Sequence, residues 1–179
     1  MDSWAVLATG PSLSQSNADA CGGLRVVAVS DAYKLAPWAD ALASTDAGWW
    51  RANPEALNFA GLKFGAMPDF RSIQGVERLP VSTGTNSGLL GIMVAVKLGA
   101  KRVLLCGFDL KSPGQHFFGQ HKPPLKSTKP DRMEAFKRQF ANYQPRGVEI
   151  INCTPGSALD AYPRATLEDC LAESSVHGS

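Results

Sequence analysis

Short apolar runs recur at 4–8, 25–29, 41–44, 102–106 and 148–152, and between them apolar residues return at helical spacing. The runs are continuous rather than alternating, which suits strands of a parallel sheet covered on both faces. Helices are predicted over 13–20, 46–52, 86–98, 130–143 and 163–172. Residues 53–82 carry Pro54, Pro68, Pro80 and several glycines; they read as an irregular connection holding two short strands, at 62–65 and 71–73. In the clearest unit, "TNSGLLGIMVAVKLGAKRVLLCGFDL", a densely apolar helix stops at Gly99 and a strand follows. Alternating strands and helices predict an α/β fold with one doubly wound, mostly parallel sheet and helices on both faces.

In such a sheet ligands bind beyond the carboxyl ends of the strands, where the strand order reverses. The segments expected there are rich in small polar and acidic residues. Gly10, Pro11 and Ser12 follow the first strand in "ATGPSL"; a glycine there lets backbone N–H groups approach a phosphate, and Ser12 is placed to cap the next helix. A plain strand-to-helix turn is the alternative, because neither a dinucleotide fingerprint nor a P-loop is present. Asn86, Ser87 and Gly88, with the hydroxyls of Ser82, Thr83 and Thr85, open the central helix as a second anion-binding candidate or as its own N-cap. Asp31, Asp46 and Asp109 each follow an apolar strand, where a carboxylate can accept from a ribose or base or can cap a turn. Ser30 precedes Asp31, and Thr154, Gly156 and Ser157 follow the last strand.

Two of the three histidines, His116 and His121, lie in "GQHFFGQHKPPLK". A histidine on a loop over a phosphate site can act as a general base near neutral pH. Lys122, Lys126, Lys129, Arg132, Lys137 and Arg138 form a basic stripe, offset by Asp131 and Glu134, that suits either a polyanion or a solvated helix face. Trp49 and Trp50 are adjacent and are not expected to face one core together, so packing is assigned to one and a place beside the pocket to the other.

Composition narrows the class little. With 179 residues, a net charge of +2, 44% hydrophobic and 19% charged residues, the chain reads as one domain over 1–172 with a flexible tail at 173–179 that holds His177. The four isolated cysteines, Cys21, Cys106, Cys153 and Cys170, lack metal-ligand spacing and are expected as buried free thiols. No signal-peptide pattern or membrane-length apolar run is present, so a cytoplasmic location without membrane partners is expected. No metal site is predicted, and a homo-oligomer is compatible with the sequence.

Taken in order, "ATGPSL", "VAVSDAY", "STD", the long central unit, "FFGQH" and "INCTPGSAL" resemble the bacterial sialyltransferases that use CMP-activated sialic acid. They are also similar to the related 6-hydroxymethylpterin pyrophosphokinase-like proteins, and most of all to compact bacteriophage members of that group. The resemblance covers about residues 4 to 160. It implies a Rossmann-like, glycosyltransferase-A-like domain acting on a nucleotide-sugar, with host cytoplasm as the location if phage-encoded. Gly10, Pro11 and Ser12 would underlie the nucleotide, Asn86, Ser87 and Gly88 would lie near its phosphates, and Asp109 would be the acidic contact. Thr154 to Ser157 would close over the nucleotide, and His121 would be the general base toward an acceptor hydroxyl of a glycan, small molecule or nucleic acid. Ser30 and Asp31 stand where the family presents an asparagine, so a ribose or base contact is expected in place of a phosphate contact. Transfer would need no cofactor; the pyrophosphokinase alternative would need Mg²⁺, and a non-catalytic nucleotide-binding accessory role is the third alternative.

Overall fold

In the computed structural model, residues 2–66, 73–82, 84–111, 116–121, 123, 125 and 129–176 are described. The continuous apolar runs become strands: β1 (Ser3–Leu7), β2 (Arg25–Val29), β3 (Ala41–Ala43), β6 (Arg102–Cys106) and β7 (Glu149–Asn152). The first of the two short strands is β4 (Leu62–Ala66). Of the second, expected at 71–73, residues 71 and 72 lie outside the described residues, and a further short strand that was not expected follows, β5 (Glu77–Leu79). β5 is largely exposed and polar, so its sequence carries no apolar signal to mark it.

All seven strands pair in parallel, in the order β5-β4-β3-β2-β1-β6-β7. The fold is α/β and Rossmann-like. From β1 the chain builds outward through β2, β3, β4 and β5. It then returns along α3 (Ser87–Lys97) to place β6 on the other side of β1. The switch point predicted to hold a ligand is therefore the gap beyond the carboxyl ends of β1 and β6.

Alternate residues of each strand enter different cores. One face joins Val6, Val27, Val29 and Leu105 to Leu90, Ile92 and Val94 of α3 and to Phe140 of α4 (Pro130–Asn142). The other joins Leu7, Ala28, Leu42 and Leu104 to α1 (Gln15–Ala20), α2 (Ala47–Ala52) and α5 (Leu167–Val176). α3 lies so close to the sheet that a Cβ on Gly91 would stand 2.6 Å from Val29 Cγ2. Burial of both sheet faces is what makes the strand sequences continuously apolar.

Several boundaries differ from expectation. α1 is capped by Ser14 in a reciprocal capping box with Asn17, not by Ser12. α5 begins at Leu167 and continues through 173–176, which were expected in a tail. Trp49 and Trp50 are both buried, at 2% and 1% exposure, with their rings edge to face at 5.1 Å. α2 is a short helix, so adjacent residues both find an interior, and Trp49 also borders the cavity beyond the strand ends, the place expected of one of the pair. The four cysteines are free and buried as expected. Burial, reinforced by Cys170, pushes the Cys153 thiol well up, which suits packing and not nucleophilic chemistry.

Candidate ligand-binding site

The turn after β1 and the turn after β6 are built against each other. Gly10 N–H donates to Gly107 O at 2.8 Å, and a Cβ on Gly10 would lie 2.0 Å from Asp109 Oδ2 and 2.3 Å from Gly107 O. Only glycine fits at that approach. The approach seats Asp109 beneath the turn. Its Oδ2 accepts from the Ser12 hydroxyl at 2.7 Å and from Ser12 N–H at 3.3 Å. Asp109 is 7% exposed and is part of the cavity wall.

A second layer holds the β6 turn from below. Thr154 Oγ1 accepts from Phe108 N–H at 2.9 Å, Ser157 Oγ donates to Phe108 O at 2.5 Å, and Ala158 N–H donates to Asp109 O at 2.8 Å. Ser12, Asp31, Thr154, Gly156 and Ser157, all expected at the nucleotide, are thus outside the cavity lining. Ser12, Thr154 and Ser157 act on the site through Phe108 and Asp109. Asp31 is buried, accepting from Trp49 Nε1 at 2.9 Å and Lys34 Nζ at 2.6 Å, so its carboxylate faces inward.

The cavity itself is about 580 Å³, within the range of small-molecule sites. It collects Gly10, Pro11, Ser30, Asp46, Asn86, Ser87, Gly88, Asp109 and His121 of the expected residues. Ser30 (φ 46°) and Leu110 (φ 48°) hold left-handed backbone without being glycine, and both line the cavity. Such conformations cost about 1–3 kcal/mol each and concentrate at functional sites. The neighbouring hydroxyls are tied together: Ser30 Oγ to Ser44 Oγ at 3.0 Å, and Ser87 Oγ to both Thr45 N and Thr45 Oγ1 at 3.0 and 2.9 Å. Asp46 caps α2 through Gly48 N–H at 2.7 Å.

Asn86 caps α3 by accepting from Leu89 N–H at 2.8 Å, and its own amide donates to Gln139 Oε1 at 2.9 Å. Gln139 in turn donates to Gly84 O, so α4 clamps the start of α3. The Asn86 side chain is therefore used by the protein, and the open polarity at this helix start is that of its first backbone N–H groups. Thr83 lies outside the described residues.

The opposite wall comes from α4 and the segment 116–121. Met133, Phe136 and Phe140 give it an apolar stretch, and Lys111 and Arg132 add positive charge at its rim. Neither cation makes an ion pair among the described residues, whereas Lys137 of the expected basic stripe pairs with Glu134 at 2.9 Å. Lys122 and Lys126 lie outside the described residues, as does His177. His116 and His121 meet here with ring centroids 4.5 Å apart, and Phe118 stacks on His116 at 4.9 Å. Burial, and then the charge of His121, push the His116 pKa below its ordinary value.

The contributions of Lys111, Met133 and Phe136 were missed in the sequence. The apolar spacing of Met133, Phe136 and Phe140 marks one helix face, which could have been found; what that face covers could not. Among the described residues, no cluster of three or more His, Cys, Asp or Glu side chains could hold a metal ion. No helix among them is long and apolar enough to cross a membrane. No family model, curated protein or solved structure matches this chain.

Proposed function

We propose that this protein transfers a sugar from a nucleotide-sugar, with a CMP-sugar as the first candidate donor, to a hydroxyl of an acceptor. The observation that carries this reading is the cavity at the β1/β6 switch point, where a buried carboxylate, the start of α3, the cations Lys111 and Arg132 and a histidine pair converge. A nucleotide-sugar has parts that match each of these. Its hydroxyls suit Asp109, its phosphate suits the N-terminal N–H groups of α3 with Lys111 and Arg132, and its base suits the apolar wall of Met133 and Phe136.

The chemistry asked of the chain is modest. His121 takes the proton from the acceptor hydroxyl as its oxygen bonds to the anomeric carbon. The bond from that carbon to the phosphate oxygen breaks, and the electron pair leaves with the nucleotide. Fixed N–H dipoles and the two cations stabilise the negative charge on the departing phosphate. Holding donor and acceptor in one cavity supplies the remaining advantage.

Thermal-shift titration with CMP, UDP, GDP, ADP and ATP, with and without Mg²⁺, tests the binding half, because a ligand selective for the folded state raises Tm. A shift with CMP is expected; no shift with any nucleotide would remove the reading, and one with ATP and Mg²⁺ alone would redirect it to diphosphate transfer. His121→Ala should lose transfer while keeping the CMP shift. Undiminished transfer by that variant would take His121 out of the mechanism.

A further inference from the structure

His116 has one ring nitrogen in contact with Thr9 and one without a partner among the described residues. Its Nδ1 is 3.0 Å from Thr9 Oγ1. Phe117 N–H donates to Thr9 O at 3.0 Å, so the segment is fastened to the end of β1 at two adjacent points. A tight turn then closes through His116 N–H to Gly119 O and Gly119 N–H to His116 O, at 3.2 and 3.0 Å. Phe118 lies parallel to the imidazole, with 1° between the planes. The ring is held on its edge and on one face.

His116 Nε2 is shut from solvent and makes no hydrogen bond among the described residues. A buried polar atom left unpaired is costly, and native proteins retain few of them. In the tautomer whose ring proton is on Nδ1 and is donated to Thr9 Oγ1, Nε2 presents a lone pair. Next to the His116 ring is that of His121, with centroids 4.5 Å apart and planes tilted by 56°. His121 makes no hydrogen bond of its own among the described residues. Hydrogen bonds between catalytic groups commonly tighten only once substrate is bound.

We propose that His116 is a positioning residue for His121: in the liganded protein Thr9, His116 and His121 form a hydrogen-bonded chain in which His116 Nε2 accepts from a His121 ring N–H. The other nitrogen of His121 then faces the cavity unprotonated, oriented to take the hydroxyl proton. The arrangement follows the general logic of a base held in tautomer and orientation by a third group. It requires His116 to stay neutral, which burial favours. The charged groups around the pair are Asp31 at the end of β2, Asp109 and Lys111 after β6, and Arg132 on α4; of these Asp31 pulls toward the protonated ring and is outweighed. This inference rests on the transfer reading for its catalytic consequence but not for its geometry.

The test has two arms on the full-length chain. In the first, imidazole ¹⁵N spectra of the free protein should show His116 neutral at pH 7 with its proton on Nδ1, and Thr9→Val should mix the two tautomers. A proton found on Nε2 would overturn the proposal, since that nitrogen could then accept nothing. In the second, His116→Leu should lower kcat for sugar transfer about 100-fold with KM nearly unchanged, and His116→Gln, whose amide oxygen can accept, should recover much of it. Equal kcat in the parent and the Leu variant would also overturn it. If the parent transfers no sugar, the glycosyl-transfer reading fails and the spectra alone decide the tautomer and the anchor.

Discussion

Two strand-end turns of this protein read alike and are used differently. The turn after β1, Thr9 to Ser12, and the turn after β7, Thr154 to Ser157, are both short, polar and interrupted by proline and glycine. Gly10 and Pro11 line the cavity; Thr154 and Ser157 are buried, with 4% exposure each, and serve the backbone of Phe108. The difference follows from strand order. β1 sits beside β6 at the switch point, with an open crevice beyond both ends, whereas β7 is the edge strand and its turn folds back under the β6 turn. Identical chemistry lines a site in one place and supports it in the other.

The sharpest way to break the contrast is at Gly10. Gly10→Ala places a methyl against the Gly107 carbonyl and the Asp109 carboxylate, and overpacking of this kind costs about 1–3 kcal/mol. Urea unfolding should show that loss, and the CMP-induced Tm shift should vanish with it. Retained stability and retained shift together would mean that the two turns part without consequence.

Thr154→Val should separate support from lining. It leaves Phe108 N–H buried without an acceptor, at about 1–3 kcal/mol. Chemical denaturation should register the full cost while CMP binding weakens less than tenfold, because no cavity-lining atom is removed. An abolished CMP shift with unchanged stability would invert the assigned roles.

Ser87→Ala is milder. It removes the hydroxyl that joins Thr45 to the start of α3, a loss of about 0.5–1.5 kcal/mol in stability. An unchanged unfolding midpoint would show that water replaces the serine at no cost. The smallest effect is the pH response of His116. Its folded pKa lies below the ordinary value of 6.5, so between those values the unfolded chain binds more protons. The stability that depends on neutral His116 is present above pH 6.5 and is lost as the pH falls toward the depressed value. Tm should therefore drop on acidification, and less so in His116→Gln; parallel profiles for the two proteins would assign the acid response to other groups.

Much of the architecture was legible because two-sided burial writes itself into sequence. β1, β2 and β6 are continuously apolar because helices cover both faces, and α3 is densely apolar because it crosses the sheet. β5 was missed because a largely exposed edge strand of Glu77, Arg78 and Leu79 carries no such mark. Ser12 was assigned to a cap because hydroxyls before a helix usually cap it; Ser14 does so, which frees Ser12 for Asp109. Both tryptophans of α2 are interior because the segments around a short helix, not its own periodicity, set what is covered.

By itself the sequence determined that this chain makes a doubly wound α/β layer fold and that polar turns gather at the carboxyl ends of its strands, since apolar spacing and turn chemistry are local properties. Tertiary structure alone decided which of those turns line the cavity. Ser12 meets Asp109 across 97 positions, and Thr9 meets His116 across 107. Hydrogen bonds over such separations are set by strand order, and the local pattern contains no record of which partner each hydroxyl will find.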